Sequence, residues 1–115
     1  MTKKTQTVRA QHDPQKHVKD GFNAAIDLFH KRWTMRILWE LRNGPVTFRE
    51  LQAACSMVSS SVLNVRIFEL RESQLLEHTS GEGYQLSLFG KELLEAMRPL
   101  AEWAGRWSKA SRRSV

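Results

Sequence analysis

Two short helical segments, each with its own start signal and separated by only a few residues, constrain this chain more than anything else in it. Thr47-Phe48-Arg49-Glu50 has the S/T-x-x-E form of a capping box, directly ahead of Leu51. It predicts a short helix, Phe48–Ala54, with Phe48 and Leu51 turned inward. Cys55-Ser56-Met57-Val58 reads as a turn. Ser59 is then a good N-cap for a helix running to about Glu72, in which Val62, Leu63, Ile67 and Leu70 share one face. A short helix, a tight turn and a second capped helix form a helix-turn-helix, the first helix bracing the second so that a polar face projects. With Leu63, Ile67 and Leu70 inside, the outward set is Ser60, Ser61, Asn64, Val65, Phe68 and Arg71.

The flanking segments complete a small domain. Val18, Phe22, Ala25, Ile26, Phe29 and Trp33 recur at helical spacing. A second helix, about Thr34–Arg42, presents Ile37, Leu38 and Leu41, and Asn43-Gly44-Pro45 stops it. After the helix-turn-helix the period changes. Leu75–Thr79 and Tyr84–Ser87 flank the glycine-bearing turn Ser80-Gly81-Glu82-Gly83 and read as a β-hairpin. Ser87 caps a final helix with Leu93, Met97, Leu100, Ala104 and Trp107 on one stripe, and Pro99 inside it should kink or split the rod. Trp33 and Trp39 are expected to fill the core. The expected fold is mainly α with a small β-hairpin wing. Residues 1–17 form a flexible arm, 18–107 a winged helix domain and 108–115 a basic tail.

Charge alone does not decide for nucleic acid. Of the net +6, residues 1–20 supply +3 and residues 106–115 supply +4, so the stretch 21–105 carries −1. Among 115 residues there is one cysteine, Cys55, which excludes an intramolecular disulfide framework and fits a reducing cytoplasm. Nothing next to Cys55 in sequence favours a thiolate, so it reads as a small buried hydrophobe rather than a sensor. His12, His17, His30 and His78 have no zinc-ligand spacing with it. No apolar stretch is long enough to span a bilayer, and the first residues lack the apolar core of a secretory signal. No nucleophile motif or phosphate loop is present. No enzyme activity, cofactor, metal or membrane partner is therefore expected, and nothing indicates a small-molecule effector.

Lys31-Arg32-Trp33-Thr34, Ile37-Leu38, Leu41, Gly44-Pro45, Phe48-x-Glu50-Leu51, Val62-Leu63-x-x-Arg66-Ile67-x-Glu69-Leu70 and Tyr84-x-Leu86-Ser87-x-x-Gly90 together resemble the HxlR-type winged helix regulators, a branch of the wider MarR-like group. The resemblance runs from about Asp20 to Trp107. It implies a homodimeric regulator of transcription that binds double-stranded DNA, dimerises through its first and last helices, and works in the cytoplasm at the nucleoid. It also implies that the Val62–Leu70 helix is the recognition helix, that Arg66 is its characteristic basic residue, and that Gly81 and Gly83 lie at the wing tip. The chain departs from the family pattern at Phe68, where a basic or polar residue is usual, at Gln74 in place of glycine, and at His78 in place of arginine. Asp20 stands near the position where many redox-sensing members carry a cysteine.

The expected DNA-contacting residues are Arg49, Ser59, Ser60, Ser61, Asn64, Val65, Arg66 and Phe68. The rival expectation is a protein-interaction adaptor without specific DNA binding, since winged helix folds also serve in assemblies. The neutral middle of the chain, outward Phe68 and acidic Glu82 suit that rival.

Overall fold

The computed structural model describes residues 14–81 and 83–114 and contains five helices and three strands among them. In chain order they are α1 (Pro14–His30), α2 (Thr34–Glu40), β1 (Val46–Thr47), α3 (Phe48–Ala54), α4 (Ser60–Glu72), β2 (Leu76–His78), β3 (Gly83–Leu86) and α5 (Leu88–Ser114). Most of the expected arm, the wing-tip Glu82 and the last residue, Val115, lie outside the described residues. The chain divides into two compact units, residues 1–34 and residues 35–115.

The first unit is α1 and the turn after it. Proline is favoured at the first helical position, where its missing N–H has no intrahelical partner to lose. Residues 14–17 are therefore helical rather than part of a loose arm, and the helix runs through Gly21 without a break. None of its residues is buried. The turn closes with bonds from Lys31 N to Leu28 O and from Thr34 N to Lys31 O, both 3.3 Å, and Trp33 takes a φ of 80°.

The second unit holds the core. Ile37, Leu38, Leu41, Leu51, Leu63, Ile67, Leu70, Leu76, Leu86, Leu94 and Met97 are all buried in it. Fully burying each such side chain is worth about 1.5–3 kcal/mol. The helix α2 ends at Glu40, and the chain tightens through bonds from Leu41 N to Leu38 O and from Arg42 N to Trp39 O before Gly44, at φ 125°, redirects it. Trp39 is only half-buried and lies under the Arg42 guanidinium, 4.6 Å from the ring centroid, so it borders the core rather than filling it. Trp33 is likewise half-buried.

The sheet has three strands, not the expected two. β3 is central, paired antiparallel with β1 (Val46 opposite Tyr84) and with β2 (Leu76 opposite Leu86). Gly83 suits this register, because a Cβ there would make a tight 3.2 Å approach to the Val46 carbonyl oxygen. Ser87 ties the sheet to α5: its hydroxyl donates to Gln74 O at 2.6 Å and accepts from Gly90 N at 3.0 Å. Gly90 itself has no room for a side chain, since a Cβ would overlap the Leu75 carbonyl oxygen. Pro99 does not split α5, which continues without interruption to Ser114, through most of the expected tail. No helix among the described residues is long and apolar enough to cross a membrane.

Candidate nucleic-acid interface

The turn between α3 and α4 is held by backbone chemistry at each step. At the start of α3, Glu50 N donates to Thr47 Oγ1 at 3.2 Å and Thr47 N donates to Glu50 Oε1 at 3.1 Å, completing the capping box. Hydrogen bonding with Thr47, through its side chain first and its backbone second, holds the Glu50 carboxyl below the usual carboxylate range. At the other end, Ser56 N donates to Ala53 O and Met57 N to Gln52 O, the paired bonds of a Schellman closure. Ser56 and Met57 both take left-handed backbone, at φ 56° and 59°. Such geometry costs about 1–2 kcal/mol per non-glycine residue, so the surrounding bonds must hold it.

Gln52 supplies the brace. Its Nε2 donates across the turn to Val58 O at 2.9 Å and to Ser60 Oγ at 3.2 Å, which joins α3 to the first residue of α4. Sequence reasoning missed this residue. Its only signal is an amide side chain placed mid-helix, next to Leu51. Cys55 is buried at the same turn and burial pushes its thiol up, more than nearby Arg36 draws it down.

Ser59 is the N-cap of α4 as expected, its Oγ accepting from Val62 N at 3.3 Å. Leu63, Ile67 and Leu70 are buried on one side of the helix. Ser60, Ser61, Asn64, Val65, Phe68 and Arg71 are all exposed, which is the outward set read from the spacing. Val62, expected inside, is 37% exposed and belongs to the rim. Arg66 differs from the others. Its side chain is only 22% exposed and its Nη1 donates to Glu69 Oε1 at 2.7 Å. It lies between the buried row and the outward row and pairs with the next turn of its own helix.

Two clefts flank the outward row. Arg49, Gln52, Met57 and Ser60 border one, which brings the expected contact residue Arg49 alongside the start of α4. Phe68, Arg71, Leu76 and His78 border the other, between the C-terminal half of α4 and β2. In the wing, Thr79 closes the hairpin: its N and Oγ1 both donate to Gly83 O, and the same hydroxyl accepts from Gly83 N. His78 packs edge-on against Tyr84 with ring centroids 4.9 Å apart.

At the end of α4, Gln74 N donates to Arg71 O and Leu75 N to Leu70 O, a second Schellman closure. Gln74 takes φ 62° there. This is the left-handed position that favours glycine, so glutamine here carries a backbone cost.

The HxlR-like helix-turn-helix family matches residues 28–112. YvaP of Bacillus subtilis, described as an uncharacterized HTH-type transcriptional regulator, is 32% identical over 92 residues, covering 75% of this chain and 85% of its own. The quinone-bound structure of YodB from the same organism superimposes with a TM-score of 0.69 at 28% identity, over 76% of this chain and 98% of that one. A possible HxlR family transcriptional factor from Thermoplasma volcanium gives a TM-score of 0.67 at 28% identity, over 84% and 86% of the two chains. The braced helix-turn-helix, the three-stranded wing and these matches lead to one assignment: this chain belongs to the HxlR-like helix-turn-helix family of transcriptional regulators.

Proposed function

We propose that this regulator binds specific duplex DNA sequences as a homodimer, with α4 entering the major groove. The observation that carries the reading is the exposed row on α4. It puts serine hydroxyls and the Asn64 amide on the first two turns, opposite a fully buried row, on a helix whose start is capped and braced. Side chains near the N-terminal end of such a helix meet base edges. Asn64 can pair with adenine N6 and N7, and Val65 and Phe68 offer apolar contact to thymine methyls. Ser59 and Arg49 border the row and supply backbone contacts, as donors to phosphate. Arg66 supports the helix through its Nη1 bond to Glu69 and, as the basic residue of α4, adds a contact to phosphate.

The homodimer is supported by apolar surface. Val18, Phe22 and Ile26 are exposed on α1, and Leu100, Trp103 and Trp107 on α5, where the two indoles stack with centroids 5.6 Å apart. Aromatic side chains of this kind anchor interfaces. The basic ends add sequence-independent grip, and the protein acts at the nucleoid.

Selection of bound fragments from genomic DNA, followed by mobility shift on the enriched sequence, tests the reading. Enrichment of a two-fold symmetric site is expected. Absence of any shift on random duplex at low salt would favour the adaptor instead. Deleting residues 1–13, which leaves α1 whole, should weaken binding about equally on all sequences. The log–log salt dependence should also flatten, by roughly 0.9 in slope for each phosphate that the truncated protein no longer neutralises.

A further inference from the structure

We propose that the cavity between the α2–β1 turn, β3 and the first half of α5 is a binding site for a small organic anion with an apolar body. Its volume is about 340 Å³, at the lower end of the roughly 300–1,000 Å³ typical of ligand pockets, and so suited to a small molecule. Leu41, Leu86 and Leu94 line it and belong to the core, which gives the cavity an apolar floor. Arg42, Lys91 and Arg98 also line it, against the single carboxylate of Glu95.

That local excess of two positive charges runs against the stretch 21–105, which is net negative by one. It is not explained by internal pairing. Arg98 reaches Glu95 through Nε at 3.1 Å, so its two terminal NH₂ groups are outside that bond. Among the described residues the Lys91 ammonium has neither an ion-pair nor a hydrogen-bond partner. Arg42 is held in place beforehand, stacked on Trp39 and donating from Nη1 to Trp39 O at 3.0 Å. An apolar floor with cations above it is complementary to a molecule that has a carboxylate at one end and a short hydrocarbon body at the other. An occupant would lie against Gln85 and Leu86 of β3, the strand that hydrogen-bonds to both of its neighbours.

The test is an amide-resolved NMR titration of the full chain with hexanoate, with hexanol as the neutral counterpart and inorganic phosphate as the bare anion. Saturable shifts at Gly44, Gln85, Lys91 and Glu95 are expected with hexanoate, and affinity at least about tenfold weaker for hexanol. Lys91→Gln should weaken hexanoate about tenfold while leaving the thermal melting of the protein unchanged. The proposal is overturned if hexanoate gives no saturable shifts at these residues, or if hexanol or phosphate binds as well as hexanoate. It is overturned equally if Lys91→Gln leaves hexanoate binding intact and instead weakens binding to random duplex, since the cations would then serve the DNA backbone.

Discussion

The helices α1 and α4 make opposite use of their apolar residues. In α1 the apolar side chains are segregated on one stripe, yet none of its seventeen residues is buried, and Val18 and Phe22 are 72% and 66% exposed. In α4 apolar residues stand on both sides. Leu63, Ile67 and Leu70 are buried, while Val65 and Phe68 remain 51% and 63% exposed among serines and an asparagine. The chain thus covers the inner row of α4 by itself, whereas Val18, Phe22 and Ile26 of α1 are exposed. A continuous apolar stripe is complementary to another apolar surface, as a second copy would supply. A row mixing hydroxyls, an amide and isolated apolar groups is complementary to a groove floor that mixes polar edges with methyl groups. One chain carries two unfinished surfaces, and their chemistries point to different partners.

That contrast breaks most visibly if the two helices respond alike to truncation. Leu63→Ala should lower unfolding free energy by about 2–5 kcal/mol in urea titration, the range for an emptied core position. Phe22→Ser should instead leave each chain folded and shift sedimentation toward the monomer, as should Trp107→Glu on α5. A wild type that is already monomeric at micromolar concentration would end the dimer reading. Next in size is Gly90→Ala, which forces a methyl against the Leu75 carbonyl and should cost about 1–3 kcal/mol. Thr47→Ala removes the hydroxyl that caps α3, for about 1 kcal/mol, while the backbone N–H that donates to Glu50 Oε1 stays. Because the Glu50 carboxyl titrates below its ordinary value when folded, its contribution is present above the usual carboxylate range and is lost as pH falls through the lowered value. In Thr47→Ala the acid arm of the stability profile should be flatter. The smallest effect should be a gain: Gln74→Gly relieves the left-handed position at the end of α4 and should stabilise by up to about 1 kcal/mol, read as a higher midpoint.

Much of the second unit is legible in the sequence because local and tertiary signals agree there. Ser59 and the Thr47-x-x-Glu50 box announce helix starts in side-chain chemistry alone, and the spacing of Leu63, Ile67 and Leu70 fixes which face turns in. The outward row follows from that spacing, so the exposure of Ser60, Ser61 and Asn64 is readable from the residues themselves. Other features depend on neighbours distant in sequence. Val46–Thr47 is too short to show a period of two, and becomes a strand only because Tyr84 and Gly83 lie opposite. Leu94, which lies off the Leu93–Trp107 stripe, is buried together with Met97 of that stripe, and periodicity alone does not show which α5 residues meet the core. Pro14 reads as a break and is a helix start. Arg66 reads as the basic residue of this helix, and its pairing with the i,i+3 carboxylate Glu69 is not something that the outward spacing announces. The brace from Gln52 needs the turn geometry first.

Asn64 is the residue on which sequence reading by α4 turns, an exposed amide on the second turn of the helix with no part in the core. Affinity of Asn64→Ala should be measured on the selected site and on random duplex in the same salt. A loss of about 1–3 kcal/mol on the specific site, with little change on random DNA and unchanged melting and sedimentation, is the predicted result. Equal losses on both DNAs, or specific binding that survives alanine at Ser60, Ser61 and Asn64 together, would contradict the assignment of α4 as the helix that reads sequence.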